Sequence, residues 1–181
     1  MLVRSFVAAA ALLVSISSVP ALAATFPALQ AEDLNGTKLS LPAGLPSGAT
    51  LVLMGFRHKD QKDLDEWISR LNLQGSEIPW LEVSAIGPVP PFVSGIIRTA
   101  MKSRLHSASE RSHMIPFFGD RAELLKLEAM PEEICLLVVS RDGKVLSSES
   151  GSFAEAKAAS LMAALGEGAK KTSGLSERSG Q

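Results

Sequence analysis

A short polar cluster at residues 57–62 contains the residue types best suited to chemistry in this chain. It comprises Arg57, His58, Lys59, Asp60 and Lys62. If a helix begins near Asp60, its free backbone N–H groups and the neighbouring cations predict a site that binds a carboxylate or a phosphate. The alternative interpretation is a solvated helix start, which is the more common state of a charged run.

The chain has one cysteine, Cys135, so it cannot form an internal disulfide. Cys135 lies in the apolar run ICLLVV at residues 134–139, which predicts a buried strand. A free cysteine in such a strand acts as a small hydrophobe. The alternative is a thiol-dependent redox enzyme in which His58 activates Cys135, since a neighbouring imidazolium can stabilise a thiolate.

The other residue patterns predict neither a metal site nor a catalytic motif. His106 and His113 are separated by a polar stretch without a nearby cysteine, which is not the spacing of a metal site. No Ser-His-Asp arrangement, glycine-rich phosphate loop or pair of catalytic carboxylates is readable. We therefore assign no catalytic residue, metal or cofactor from the sequence.

The N-terminal residues 1–23 have the layout of a secretory signal peptide. Arg4 supplies a positive charge, residues 6–16 are apolar, and Ala-Leu-Ala at 21–23 is a small-residue cleavage site. The apolar part is too short to span a bilayer. We therefore expect export, cleavage before Ala24, and a periplasmic or secreted mature chain.

Charge, length and composition indicate the partner class and the domain boundaries. The formal net charge is −1, which gives no reason to expect a nucleic-acid partner. Residues 24–165 are long enough for one domain with a hydrophobic core. Residues 166–181 are rich in Gly, Ser and Lys, and their lack of periodicity predicts a disordered tail.

Apolar periodicity predicts the elements that position these residues. Asn35-Gly36 and Asp142-Gly143 are turn signals of two hairpins. Strands are predicted at 50–56, 79–86, 114–118, 134–139 and 145–146, and helices from 60 or 62 to 73, at 92–105, at 120–130 and from 152 onward. Helices between strands imply an α/β fold with a central mixed sheet covered on both faces.

The predicted helix at 92–105 is basic and amphipathic. Its apolar residues recur every three or four positions, beside Arg98, Lys102 and Arg104. Such a helix can lie on an anionic membrane surface or dock on a partner. The alternative is that its apolar face packs on the protein's own sheet.

The order of elements resembles the thioredoxin-like superfamily in its peroxiredoxin or TlpA-type form. The similar segments are the entry hairpin PALQAEDLNGTKLSL, the strand LVLMGF, the strand and helix PFFGDRAELLKLEAM, and the terminal hairpin CLLVVSRDGKVL. The resemblance implies a three-layer sandwich with an N-terminal β-hairpin. It covers most of residues 26–165.

The same resemblance implies a redox-inactive member of the superfamily. Its Cys-x-x-Cys would lie at the polar cluster, where this chain has Lys59, Asp60, Gln61 and Lys62. Its cis-proline would fall at 134 or 135, where this chain has Ile and Cys, and the nearest proline is Pro131. Dithiol chemistry needs a thiolate at the helix start, and none is present there.

A second resemblance is to a mitochondrial F-type ATPase assembly-factor family with a thioredoxin-like fold. It is carried by Phe56-Arg57, by the Pro-led helix with basic residues, by Ile115-Pro116 and by the late Asp-Gly hairpin. It implies an assembly or binding role. We therefore expect a non-catalytic protein of the cell envelope that binds or helps to assemble another protein, with a membrane-associated assembly factor as a further alternative.

Overall fold

The computed structural model describes residues 24–127 and 133–178, and a five-stranded mixed sheet forms the centre of this part of the chain. The strands are β1 Leu29–Glu32, β2 Lys38–Leu41, β3 Ala49–Gly55, β4 Trp80–Ala85, β5 Met114–Phe117, β6 Cys135–Ser140 and β7 Val145–Ser150. The sheet order is β5-β4-β3-β6-β7. β3, β4 and β5 run parallel, whereas β6 is antiparallel to both β3 and β7.

The described helices vary widely in length. They are α1 Gln61–Arg70, α2 Pro91–Lys102, α3 Ala108–His113, α4 Ala122–Leu125 and α5 Glu155–Arg178, with 3-10 turns at His58–Asp60 and Leu73–Gly75. No helix within these ranges is both long enough and apolar enough to cross a membrane.

Every residue of β3 is buried, because this strand lies at the middle of the sheet and both of its faces are covered. Leu64 and Trp67 of α1 and Leu161 of α5 pack on one face. The other face is covered by the β1–β2 hairpin and by Leu124 of α4. The predicted α/β class, with a mixed sheet, helices on both faces and an N-terminal hairpin, is confirmed.

Both predicted tight turns are present. Asp33 accepts the backbone N–H groups of Asn35 and Thr37 at 2.8 Å, and Gly36 adopts a φ of 94° that favours glycine. The turn at Asp142-Gly143 joins β6 to β7, with Gly143 at a φ of 89°.

Packing of the apolar face of α2 on the sheet was one of the two predicted arrangements. The structure does not have this packing. Phe92 and Ile96 are 72% and 65% exposed, and none of the residues of α2 is fully buried. Arg98 attaches the helix instead: Nη1 lies 3.1 Å from the carbonyl of Asp33 and 3.4 Å from the carboxylate of Glu32. Because α2 follows a proline-rich break and lies beside the hairpin, its outward apolar residues have no sheet beneath them.

In the structure, residues 166–178 of the predicted disordered tail at 166–181 continue α5 to Arg178. Gly168 is buried against the sheet, and a β-carbon there would lie 2.5 Å from the β-carbon of Ala49 and 2.9 Å from Leu146. The missing side chain is therefore what lets α5 pack closely at this point. The predicted signal peptide at 1–23, Pro131 and residues 179–181 lie outside the described residues.

We expect Gly168→Ala and Gly166→Ala to change stability in opposite directions. The first would force a methyl group into Ala49 and lower the free energy of unfolding by about 1–3 kcal/mol. Gly166→Ala places a methyl group in open space, with no neighbouring described side chain within 4 Å. The higher helix propensity of alanine should therefore raise the free energy of unfolding by up to ~1 kcal/mol. Urea unfolding of both variants measures the difference. Equal effects would contradict close packing of α5 beyond residue 165.

Candidate functional site

The β3–α1 junction is built around the carboxylate of Asp60, which is 3% exposed. Oδ2 accepts the backbone N–H groups of Phe56 and Arg57, both at 2.9 Å. Oδ1 accepts Nε of Arg57 at 3.1 Å, and Nη2 of the same guanidinium also lies 3.1 Å away. Asp60 was predicted as a binding residue, but its oxygens already serve the turn that ends β3 and begins α1.

Gly55 and Arg121 complete this junction. A β-carbon on Gly55 would lie 2.8 Å from Leu64, so glycine allows α1 to approach the end of β3. Nη1 of Arg121 donates to the carbonyl of Phe56 at 3.3 Å and lies 3.5 Å from the carbonyl of Ala85. Arg121 thus bridges the ends of two parallel strands. Sequence reasoning did not select it, because nothing in its local pattern marks a contact across 65 residues.

The remaining predicted binding residues surround the outside of this junction. His58, Lys59 and Lys62 are exposed, and Arg57 is half-buried. A shallow cavity of about 170 Å³ lies beside them. Its lining includes Arg57, Lys59, Asp63, Glu133, Gly151 and Ser152. Asp60 also lines this cavity, so three carboxylates face two cations there, and the tip suits the mixed charges of a protein surface better than a strongly anionic ligand.

Cys135 pairs with Met54 near the tip end of the sheet, but its side chain packs in the core cluster on the face that carries the β1–β2 hairpin. It is 1% exposed, its Sγ lies 3.6 Å from the carbonyl of Leu127, and it packs in one cluster with Met54 and Leu137. His58 lies on the exposed 3-10 turn. Cys135 therefore packs in the core as a small hydrophobic residue, which is the first of the two roles predicted for it.

A second site, which sequence reasoning missed, is a cavity of about 560 Å³ between α1, β4 and the segment after α2. Glu82 of β4 forms part of its wall and is 0% exposed. Gln61 lies between Glu82 and a second acid, Asp65 of α1. Its Nε2 donates to Asp65 Oδ1 at 2.9 Å and lies 3.4 Å from Glu82 Oε1. Glu82 Oε2 is buried and has no hydrogen-bond partner within residues 24–127 and 133–178.

Burial raises the pKa of Glu82 from its ordinary value of 4.5 to about 7. The hydrogen bond from Gln61 lowers this pKa, and the negative charge of Asp65 raises it. Glu82 therefore changes its protonation state near neutral pH. Strongly shifted carboxyl groups in cavities are candidates for functional sites.

An aromatic pair forms the side of this cavity nearest β5. Trp80 lies on the lining and stacks on His113, with ring centroids 4.4 Å apart and an interplanar angle of 5°. His113 Nδ1 lies 2.9 Å from the carbonyl of Trp80, and the indole N–H donates to the carbonyl of Leu73. His113, which was assigned no metal role, thus helps to fix the cavity wall.

A signal for Glu82 exists in the sequence. In the strand WLEVSA, alternation places Trp80 and Glu82 on one face, and covered parallel strands are buried on both faces. An acid in such a strand must be buried, but its partners depend on which helix covers it, and the strand pattern does not contain that information.

The basic residues predicted along α2 do not form one surface. Arg98 turns inward, and its guanidinium also lies 5.4 Å from the ring centre of Phe118. Lys102 is exposed at the end of α2, whereas Arg104 lies at the 560 Å³ cavity. The outward surface of α2 is therefore apolar, with Lys102 beside it.

No protein-family model and no curated protein sequence matches this chain. Solved structures nevertheless share its fold. BsSco, a member of the Sco family of cytochrome c oxidase assembly proteins, is 13% identical with a TM-score of 0.54, over 82% of this chain and 95% of that one. The thio-disulfide isomerase of Thermus thermophilus is 16% identical with a TM-score of 0.51, over 78% and 95%.

The pneumococcal exposed lipoprotein thioredoxin from Streptococcus pneumoniae strain TIGR4 is also similar. It is 12% identical with a TM-score of 0.50, over 78% of this chain and 99% of that one. At these identities the comparisons show the fold alone. The chain has a thioredoxin-like fold, as its element order predicted.

We expect Glu82→Gln to raise stability at neutral and alkaline pH. Because the pKa of Glu82 is higher in the folded than in the unfolded chain, its contribution to the unfolding free energy falls as pH rises from about 4.5 to about 7. The full difference amounts to about 3 kcal/mol. Glutamine carries no such proton, so the stability gap between variant and wild type should widen over this pH range and then stay constant.

Urea unfolding from pH 4.5 to pH 8 measures this gap. Glu77→Gln is the matched control, since Glu77 is exposed and lies outside the cavity lining. Its difference from wild type should stay within ~0.5 kcal/mol at every pH. A Glu82→Gln curve parallel to wild type would contradict the burial of this carboxyl group.

Proposed function

We propose that this protein is a redox-inactive, thioredoxin-like protein of the cell envelope that binds another protein and assists its assembly. The observation that carries the proposal is the thiol-free β3–α1 tip. The fold is intact around this tip, with Asp60 and Arg57 closing the turn, while Lys59 and Lys62 stand where the resemblance places the two thiols.

The position of Cys135 supports a role other than thiol catalysis. A reactive thiol needs access to solvent and a positive neighbourhood that stabilises the thiolate. Cys135 is surrounded by the core residues Met54 and Leu137. Using this thiol would therefore require local opening of the sheet.

The character of the exposed tip supports protein binding. His58, Lys59 and Lys62 are exposed, and Lys59 lines the tip cavity together with Arg57, Asp63 and Glu133, so cations and carboxylates lie close together over a small area. Such a pattern can select a complementary surface and exclude others. BsSco is described as a member of a family of assembly proteins, which agrees with an assembly role. The expected signal peptide is the basis for the envelope location.

The test is site-specific photo-crosslinking in intact cells that make the full chain. A photo-reactive residue replaces Lys59 at the tip or, as the control, Lys144 at the opposite end of the sheet. We expect a discrete protein adduct from position 59 and none from position 144, because only the tip would contact the partner. Mass spectrometry identifies the partner.

The redox alternative is tested on the same protein. Maleimide should label Cys135 of the folded chain at least a hundredfold more slowly than that of the urea-unfolded chain, since the thiol is buried. Insulin reduction should be absent. Fast labelling, with reductase activity that is lost in Cys135→Ser, would overturn the proposal, as would equal adducts from positions 59 and 144.

A second candidate function is contact with a membrane surface, and the exposure of Phe92 and Ile96 favours it. Their outward positions, with Lys102 alongside, resemble a helix that inserts apolar side chains among anionic lipids. We expect the full chain to float with vesicles of phosphatidylglycerol and phosphatidylcholine, and F92S/I96S to stay in solution. Flotation of both proteins, or of neither, would contradict this candidate.

A further inference from the structure

The cavity beside Glu82 combines two features of a ligand site. Its volume of about 560 Å³ lies within the range of small-molecule pockets. Its lining includes the apolar side chains of Ile68, Met101 and Leu105, while the neighbouring side chains of Gln61, Asp65 and Glu82 form a polar end. A ligand with an apolar stem and a polar head would match both kinds of side chain.

The polar end of the cavity is incomplete as it stands. Glu82 is fully buried, and its Oε2 has no hydrogen-bond partner in the part of the chain that the structure describes. Its Oε1 has a long contact of 3.4 Å with Gln61, whose amide has its better acceptor in Asp65 at 2.9 Å. A buried oxygen without a partner costs free energy, and a ligand donor would remove that cost.

The charges around the cavity decide the sign of that ligand. Asp65 of α1 faces Glu82, and Glu110 of α3 also lies on the lining. Arg104 and His106, on the segment after α2, are the basic lining residues, while His113 is held in its stack on Trp80. With Glu82 ionised, acidic charge exceeds basic charge, and the polar end therefore attracts a cation.

We propose that this cavity binds a primary ammonium group on an aliphatic stem, with the ammonium donating to Glu82 and the stem packing against Ile68, Met101 and Leu105. An ammonium group has three donors, so it can serve both oxygens of Glu82 as well as Asp65. The Gln61 side chain must swing aside, and it is half-buried at the start of α1. The source is either a free alkylamine or a lysine side chain.

This inference is independent of the proposed function. The cavity is lined by α1, β4 and the segments around α3, whereas the tip cavity is lined by Arg57, Lys59 and Asp63. A failed crosslink at Lys59 leaves amine binding intact, and a failed amine titration leaves the tip proposal intact.

The test is calorimetric titration of the full chain with n-hexylammonium, and with n-hexanol as its neutral counterpart. We expect n-hexylammonium to bind at pH 8 at least tenfold more tightly than n-hexanol. Since the pKa of Glu82 is about 7, ammonium binding should weaken about tenfold at pH 6, where this carboxyl group is mostly protonated. Binding at pH 6 should release a proton, which appears as a dependence of the heat on the buffer.

Variants separate a Glu82 site from non-specific attraction. Glu82→Gln should lose at least tenfold in ammonium affinity at pH 8 and show no change with pH, whereas Glu77→Gln should bind like wild type. Met101→Trp, which fills the cavity without altering its acids, should abolish binding. Equal affinity for amine and alcohol, or wild-type binding by a folded Glu82→Gln or Met101→Trp protein, overturns the proposal.

A second pair of probes identifies the source of the ammonium group. N-acetyl-lysine-N-methylamide presents a lysine side chain, and its norleucine analogue has no charge. Binding of the lysine compound alone supports a lysine side chain as the natural ligand. Binding of n-hexylammonium without the lysine compound supports a free amine.

Discussion

The carboxylate of Asp60 is the interaction on which the arrangement of this protein depends. A buried carboxylate is costly unless donors surround it, and Asp60 has the N–H groups of Phe56 and Arg57 together with the Arg57 guanidinium. Those donors are available only if the chain leaves β3 and turns at once into α1. The same contact therefore fixes where the central strand ends and at which residue the helix begins.

The start of α1 in turn fixes two separate surfaces. Leu64 and Trp67 face the sheet, and the indole N–H of Trp67 donates to the carbonyl of Gly151 at 3.0 Å. Gln61 and Asp65 are one helical turn apart and lie together on another side, above Glu82. A shift of α1 by one residue would remove both the core contact and the polar bridge.

The parts of the fold that sequence could predict are those with local causes. Asn35-Gly36 and Asp142-Gly143 specify tight turns through their backbone preferences, and the apolar runs of β3 and β6 are long enough to specify buried strands. The exposure of Phe92 and Ile96 could not be predicted, because periodicity shows which residues share a face and not what lies opposite that face.

A local pattern also could not predict the packing of the C-terminal helix. Glycine is a poor helix former, yet Gly168 is the residue that allows α5 to contact Ala49.

The two candidate sites differ in how much of their polar chemistry is satisfied within the protein. At the tip, the buried carboxylate of Asp60 already has its donors, so the residues available to a partner are the exposed ones around it. At Glu82, one buried oxygen has no partner among the described residues, and ionisation of the carboxyl group removes stability as pH rises from about 4.5 to about 7. A glutamine at this position would avoid most of that cost. Retaining an acid on the wall of a 560 Å³ cavity is therefore a poor solution for stability alone, and it is better explained by a ligand that brings its own donor.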